Sequence, residues 1–169
     1  DQTISVLATI ARADVTLGIL AGGRASRLGG RDKAWLQRDG VPQVLRISRR
    51  FAGECGRVLV SANRDLPRYV DHGLVAMEDR IAGIGPLGGI DALASTCETT
   101  WLLTIPVDIV DANDCLVRTL ATAGVDGAMA EDDDGLQPLV ALYRVAAMRE
   151  SIASALEAQD YSVQAMQAR

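Results

Sequence analysis

Four cationic side chains stand among glycines in the segment LGILAGGRASRLGGRDKAWL, residues 17–36: Arg24, Arg27, Arg31 and Lys33. The glycines that flank them let the backbone approach a ligand closely and point N–H groups at anionic oxygens. A triphosphate carries about four negative charges near neutral pH, so cations must share its neutralisation with the amides. The segment therefore predicts a loop that binds phosphate, with Arg24, Arg27 and Lys33 as its cations.

This segment differs from two common phosphate-binding motifs. It is not a P-loop, because Ala34 follows Lys33 where Ser or Thr is required. A G-x-G-x-x-G pattern occurs at GIGPLG, residues 83–88, but it follows charged residues and contains Pro86, which is typical of a turn that opens a helix. A solvated turn with exposed cations is the alternative reading of residues 17–36. The apolar run before the loop and Lys33 after it favour binding.

Two aspartates follow other apolar runs. Asp108 ends TWLLTIPVD, where a carboxylate at the rim of a sheet could bind a hard cation, since Mg²⁺ takes one or two carboxylates together with phosphate oxygens and water. Alone, such an aspartate is more often a helix cap or turn former, but its placement opposite the glycine loop favours metal binding. Asp79, in MEDR, is either a second polar contact to a nucleotide or a surface partner of Arg80 or Arg64.

Composition limits the classes of partner. The 169 residues are 49% hydrophobic and 23% charged, which predicts one globular domain over 1–169 with residues 1–15 as a lead-in. A net charge of −5 argues against nucleic acid and anionic membranes as partners. Three separated cysteines and a single histidine fit reduced thiols in the cytoplasm and exclude a zinc site of the Cys/His type.

Short apolar runs alternate with helical periods, which predicts an α/β fold: a three-layer α/β/α sandwich around a Rossmann-like, mostly parallel sheet. We expect strands at 15–20, 57–62, 74–77, 100–105, 126–130 and 139–144, and helices at about 42–53, 86–96, 112–123 and 146–158. The acidic turn AEDDDGLQPL predicts a late antiparallel hairpin. Ligands of such sheets bind at the carboxyl ends of the strands, where the glycine loop, SANRD, EDR and PVD converge.

The stretch LAGGRASRLGGRDKAWL resembles the signature of the nucleotidyltransferases that begin with L-A-G-G, and among them the molybdenum cofactor guanylyltransferases (MobA-type). EDRIAGIGPLGGI and TIPVD follow in the family's order, and the resemblance covers about residues 16–165. It implies a Rossmann-like fold and transfer of GMP from GTP to molybdopterin with Mg²⁺, with pyrophosphate as the second product. Proteins that deliver molybdopterin are further expected partners.

The resemblance also implies roles for individual residues. Backbone groups of Leu20, Ala21 and Gly22 hold the nucleotide, Lys33 meets phosphate, Ser61 and Asp79 lie near the guanosine, and Asp108 binds the metal. Physical reasoning adds Gly23, Arg24 and Arg27 as further phosphate contacts, and Gly89 in GPLGGI as a point of close approach by substrate. Lys33, Asp108 and Arg27 are the expected catalytic residues.

The sequence departs from the family's pattern at two places. Relatives commonly carry Asn where Ser61 stands, although Asn63 is two residues away. The family's C-terminal segment with an Asn-containing motif has no counterpart in the final YSVQAMQAR. Two alternatives stay open: a related transferase that uses CTP or a sugar-phosphate acceptor, and a GTP-binding module without turnover.

Overall fold

A six-stranded sheet forms the centre of the computed structural model, which describes residues 10–23, 27–109, 116–121, 126–132 and 135–169. In chain order the strands are β1 (Val15–Leu20), β2 (Arg27–Leu28), β3 (Arg31–Asp32), β4 (Gln37–Arg38), β5 (Val41–Pro42), β6 (Arg57–Ser61), β7 (Val75–Met77), β8 (Trp101–Pro106), β9 (Gly127–Asp132) and β10 (Gly135–Arg144). The main sheet has the order β7-β6-β1-β8-β10-β9, and β2-β3 and β4-β5 form two small antiparallel pairs.

Strand β1 lies in the middle of the parallel part of the sheet. It pairs with β6 from Thr16 opposite Arg57 and with β8 from Val15 opposite Trp101, in both cases in parallel. All six residues of β1 are buried, as expected for a strand covered by helices on both faces. Strand β10 runs antiparallel to β8 and to β9, so the hairpin predicted for this part of the chain is present.

Helices cover both faces of the sheet. The helices are α1 (Gln43–Arg50), α2 (Leu66–Asp71), α3 (Pro86–Thr96), α4 (Leu116–Ala121), α5 (Val145–Glu157) and α6 (Val163–Gln167). One apolar core joins β1 to α1, α2 and α4, and a second core joins the other face to α3, α5 and α6. The predicted α/β fold, with three layers and a mostly parallel sheet, is confirmed.

The bounds of several elements differ from those predicted. Strand β10 begins at Gly135, four residues before the predicted start at 139, because it pairs across a bulge with β9. Helix α1 ends at Arg50 and is therefore shorter than the predicted 42–53. Of the predicted helix at 112–123, the described part is Leu116–Ala121.

The structure contains two short helices that the sequence did not predict. Helix α2 has six residues, contains Pro67 and buries only Tyr69, so its sequence shows no helical repeat of apolar residues. Helix α6 is capped by Ser162, whose side chain accepts a hydrogen bond from Ala165 N. None of the helices in the described ranges has the length and hydrophobicity that a bilayer-spanning helix needs.

Candidate active site

The loop after β1 forms one wall of a cavity of about 570 Å³ at the carboxyl ends of the strands. Ala21 N donates a hydrogen bond of 2.8 Å to Ser61 O, which ties the start of this loop to the end of β6. Gly22 and Gly23 both line the cavity. Gly23 has φ +98°, a left-handed conformation that favours glycine, and a side chain at Gly22 would press on Asn63.

Lys33 and Asp108 meet at the edge of this cavity. Asp32 positions Lys33 by accepting a hydrogen bond of 3.0 Å from Ala34 N, which caps the short 3-10 turn Lys33–Trp35. Asp108 follows the end of β8, where Val107 N bonds to Leu20 O over 3.1 Å. Lys33 Nζ lies 3.9 Å from Asp108 Oδ2, and the two side chains are 24% and 46% exposed.

Ser61 lies at the floor of the cavity. The residue lines the cavity and is only 1% exposed. Gly89, in the second turn of α3, packs directly against it: a Cβ built at Gly89 would lie 2.6 Å from Ser61 Oγ. A methyl group at this position would therefore force the Ser61 hydroxyl and the Leu20 side chain to shift.

Asp79 lies across the cavity, after the end of β7. Its backbone N–H donates a hydrogen bond of 2.9 Å to Asn63 Oδ1, and its carboxylate packs against the backbone of α3 at Gly88. The surface pairing considered for Asp79 is absent among the described residues, since Arg80 pairs instead with Asp91 through bonds of 3.0 and 2.7 Å. Desolvation raises the pKa of the Asp79 carboxyl. A hydrogen bond with the Asn63 side chain lowers this pKa, and the negative charge of Asp91 raises it.

A second, larger cavity of about 840 Å³ adjoins the first and shares Val107 and Asp108 with it. Five of its lining residues are cationic: Lys33, Arg38, Arg46, Arg49 and Arg50. Its acidic lining residues are Asp39 and Asp108, and Asp39 pairs weakly with Arg46 over 3.9 Å. This excess of positive charge is local, because the whole chain carries −5.

The family model for the MobA-like NTP transferase domain matches residues 17–169. The chain belongs to this family. The match contains the glycine loop, Lys33 and Asp108, so the family expected from the L-A-G-G signature is confirmed.

Curated relatives named molybdenum cofactor guanylyltransferase are similar to this member of the family along much of its length. The protein from Cupriavidus metallidurans is 40% identical over 115 residues, 68% of this chain and 57% of its own length. The protein from Shewanella putrefaciens is 32% identical over 150 residues, which cover 86% of this chain and 76% of the relative. The protein from Cupriavidus pinatubonensis is 36% identical over 154 residues, which cover 85% of this chain and 77% of the relative. The chain thus spans about half to three quarters of these relatives.

Solved structures share the fold of this MobA-like domain. Molybdopterin-guanine dinucleotide biosynthesis protein A from Archaeoglobus fulgidus superposes with a TM-score of 0.67 at 18% identity, over 91% of this chain and 79% of its own. A 2-C-methyl-D-erythritol 4-phosphate cytidylyltransferase from Thermus thermophilus superposes with a TM-score of 0.59 at 19% identity, over 89% of this chain and 82% of its own. At these identities the likeness concerns the fold alone.

The structure brings together most of the residues expected from the sequence. Those that line the first cavity are Leu20, Gly22, Gly23, Ser61, Asp79, Gly89 and Asp108, while Lys33 lines the adjoining cationic cavity. Ala21 is buried beside the loop and bonds to Ser61. Arg24 lies outside the described residues, and Arg27 falls in β2, where its side chain is not described.

Two polar residues have structural roles that the sequence does not predict. Asn63, two residues after Ser61, lines the cavity and accepts a hydrogen bond from the backbone N–H of Asp79. Asp91 lies on α3, is 3% exposed and anchors Arg80 in the loop after β7. Neither contact leaves a periodic signal, since each depends on loops that come together only in the fold.

Proposed function

We propose that this chain transfers GMP from GTP to molybdopterin, forming the guanine dinucleotide cofactor and pyrophosphate in a Mg²⁺-dependent reaction. The observation that carries the proposal is the meeting of Lys33 and Asp108, 3.9 Å apart, beside a glycine-lined cavity. The names of the curated relatives support the choice of substrates. The site follows the rule for open α/β sheets, in which ligands lie beyond the carboxyl ends of the strands.

The first cavity suits the nucleoside half of GTP. Leu20 and Gly22 line it, Ala21 is buried between them, and Ser61 and Asp79 supply polar groups beside it. A carboxylate such as Asp79 can accept hydrogen bonds from both N1–H and the 2-amino group of guanine. Adenine and cytosine offer no such pair of adjacent donors at a Watson–Crick edge.

The triphosphate of GTP extends in our proposal from the nucleoside toward the glycine loop and Lys33. Gly22 and Gly23 allow the backbone to approach the phosphates, and Lys33, with Arg24 and Arg27 from the same loop, offsets their charge. Gly89 keeps the cavity open to substrate, since any side chain there would collide with the cavity floor.

Asp108 is the proposed metal ligand. The described residues contain no cluster of three His, Cys, Asp or Glu that could form a metal cage. A single exposed carboxylate fits Mg²⁺ nonetheless, because this ion completes its shell with water and phosphate oxygens. When bound, the metal withdraws negative charge from the reacting phosphates.

The reaction follows from charge. A phosphate oxygen of molybdopterin attacks the α-phosphorus of GTP, the bond to the β-phosphate breaks, and pyrophosphate leaves. Both reactants are anions, so the main task of the protein is to reduce their repulsion and hold them in line. Lys33 and the loop arginines supply positive charge at the α- and β-phosphates. No general base is required, because the attacking oxygen is already ionised.

The cationic cavity suits the anionic substrates and products of this reaction. It shares Asp108 with the nucleotide cavity and adds Arg38, Arg46, Arg49 and Arg50. A phosphate-bearing acceptor or the departing pyrophosphate would find there the counter-charge that the first cavity lacks. Its apolar lining, which includes the partly exposed Leu36 and Val41, would contact a flat ring system.

Pyrophosphate release tests the proposal. We expect release when GTP, molybdopterin and Mg²⁺ are supplied together, and loss of the signal in Lys33→Ala and Asp108→Ala proteins that keep the wild-type melting temperature. A thermal-shift panel of GTP, CTP, ATP and UTP, each with and without Mg²⁺, tests the base at the same time. Equal stabilisation by all four nucleotides would contradict the choice of GTP. Larger stabilisation by CTP would favour a cytidylyltransferase, and GTP binding without release would favour a module without turnover.

A further inference from the structure

The backbone position of Lys33 depends on the packing of Trp35. Lys33 is the first residue of the short 3-10 turn Lys33–Trp35, and Trp35 is its last. The lysine side chain is partly exposed, whereas the tryptophan is buried. A lysine ammonium sits on a long, flexible stem, so its placement beside Asp108 requires a backbone that is held firmly. Trp35 is the large side chain by which the protein can hold this turn.

Helix α2 and its C-terminal cap, His72, enclose the indole of Trp35. The ring of the buried Tyr69 lies 4.8 Å from the indole, between centroids, at an angle of 52°. The ring of His72 lies 5.0 Å from it at 48°. The guanidinium carbon of Arg68 stands 4.2 Å from the centroid of the indole. Tilted aromatic pairs and a cation over an indole are both favourable contacts, so one short helix grips one side chain.

Polar contacts fix the orientation of this group. His72 Nδ1 donates a hydrogen bond of 2.8 Å to the carbonyl of Arg68, because a carbonyl oxygen can only accept. Burial raises the pKa of Tyr69, the charge of Asp32 raises it further, and a hydrogen bond with the Trp35 side chain lowers it. Asp32 is the N-cap of the Lys33 turn. The Tyr69 hydroxyl therefore lies near both ends of that turn.

We propose that helix α2, together with His72, positions Lys33 for the phosphates of GTP by holding Trp35. This inference rests on the proposed function, in which Lys33 meets phosphate, and extends it to an element outside the glycine loop. Arg68, Tyr69 and His72 line neither cavity, so they act through the turn and not through contact with substrate. A residue of this kind affects the phosphates more than the nucleoside, which a purely structural residue does not do.

Binding of GTP and of guanosine to the intact chain tests the inference, because guanosine keeps the base and ribose and lacks the phosphates. Tyr69→Leu removes the ring and keeps apolar bulk, and Tyr69→Phe keeps the ring. The double variant Arg68→Ala with His72→Ala changes only exposed side chains, so it folds even if Tyr69→Leu does not. The control is Met148→Ala, which removes a buried side chain from the core on the other face of the sheet.

We expect Tyr69→Leu to weaken GTP binding about tenfold and guanosine binding less than about twofold. The double variant should weaken GTP binding about threefold to fivefold, as loss of an exposed cation–π contact implies, and Tyr69→Phe should stay within about threefold of the wild type. Met148→Ala should lower the melting temperature and bind both ligands as the wild type does. In a Lys33→Ala protein, Tyr69→Leu should add less than about a twofold loss for GTP, because both changes remove the same interaction.

Three results would overturn the inference. The first is wild-type GTP affinity in Tyr69→Leu or, where that variant does not fold, in the double variant. The second is an equal loss for GTP and guanosine, which would make the contacts with Trp35 a matter of stability alone. The third is full additivity of the losses from Tyr69→Leu and Lys33→Ala. If Lys33→Ala by itself leaves GTP affinity unchanged, the proposed role of Lys33 fails instead, so the two failures are distinguishable.

Discussion

Lys33 Nζ lies 3.9 Å from Asp108 Oδ2 at the place where the nucleotide cavity and the cationic cavity meet. Both side chains are partly exposed, and ion pairs of this kind contribute about 1 kcal/mol or less to stability. The pair therefore adds little to the folding free energy. Its position is better explained by the chemistry of anionic substrates, for which a cation and a metal-binding carboxylate are both needed.

Replacement of Lys33 by alanine should lower the rate of pyrophosphate release about a hundredfold or more, the loss expected when one preorganised charge is removed from a phosphoryl-transfer site. The melting temperature should change by no more than a few degrees. The matched control is Arg57→Ala, which breaks the exposed Arg57–Glu98 pair of 2.7 Å at the opposite end of β6. Equal rates for the two variants would contradict the role of Lys33.

Asp108→Asn should shift the metal dependence of the reaction. The amide keeps one oxygen but loses the negative charge that a hard cation prefers, so we expect the Mg²⁺ concentration for half-maximal activity to rise about tenfold or more. The control is Asp39→Asn, because Asp39 lines the cationic cavity, is 93% exposed and has φ +54°, a conformation that asparagine tolerates. The check is a Mg²⁺ titration of the activity of both variants. If Asp108→Asn needs no more Mg²⁺ than the wild type, Asp108 is not a metal ligand.

Much of the fold could be predicted because its strongest elements have clear local signals. Strand β1 has the predicted bounds 15–20, since an apolar run ends there at a glycine loop, and α3 has the predicted bounds 86–96, since Pro86 starts it. Helix α2 was not predicted, because its one buried residue, Tyr69, cannot form a repeating apolar pattern. The strand ends also indicated where Lys33 and Asp108 would meet, because parallel strands share a carboxyl edge.

The rest of the site could not be predicted because it depends on contacts between loops. Asn63 looks like an ordinary turn residue until the fold brings it under the backbone N–H of Asp79. Asp91 looks like a residue on the polar face of a helix, and only the path of the loop after β7 places Arg80 over it. Roles that depend on such pairings have no fixed spacing in the sequence.

Gly89→Ala should reduce both stability and nucleotide affinity. The added methyl group would lie 2.6 Å from Ser61 Oγ and 3.2 Å from Leu20 Cδ2, and overpacking of this kind costs about 1–3 kcal/mol. The double variant Gly89→Ala with Ser61→Ala removes the closer clash and should recover part of the lost free energy of unfolding. Gly53→Ala serves as the control, because nothing lies within 4 Å of its added Cβ and its φ is not left-handed. Denaturant unfolding gives the free energy of unfolding of all three variants. If Gly89→Ala is as stable as the wild type, Ser61 and Leu20 can move to accommodate the methyl group.

The ion pair between Arg80 and Asp91 should respond asymmetrically to mutation. Asp91 is 4% exposed in its side chain and Arg80 is 59% exposed. Arg80→Ala leaves a buried carboxylate without its counter-charge and should cost about 2–3 kcal/mol, below the usual range for fully buried pairs because water reaches the guanidinium. Asp91→Asn keeps a hydrogen-bond acceptor and leaves a solvated arginine, so it should cost about 1 kcal/mol or less. Urea unfolding of both variants checks the order, and a larger loss in Asp91→Asn would contradict it.

Asp79 should make GTP affinity depend on pH. Burial raises the pKa of its carboxyl, so in the folded protein it takes up a proton at a higher pH than an ordinary aspartate does. The protonated group no longer accepts two hydrogen bonds from guanine, and the affinity for GTP should therefore fall as the pH is lowered through this raised pKa. The effect on stability has the opposite sign, because the folded state holds the proton more tightly than the unfolded chain and the cost of the buried charge disappears as the pH falls. Calorimetric titrations of the wild type and Asp79→Asn separate this effect from the titration of GTP itself, which is the same for both proteins. Identical pH profiles would show that the Asp79 carboxylate does not contact the base.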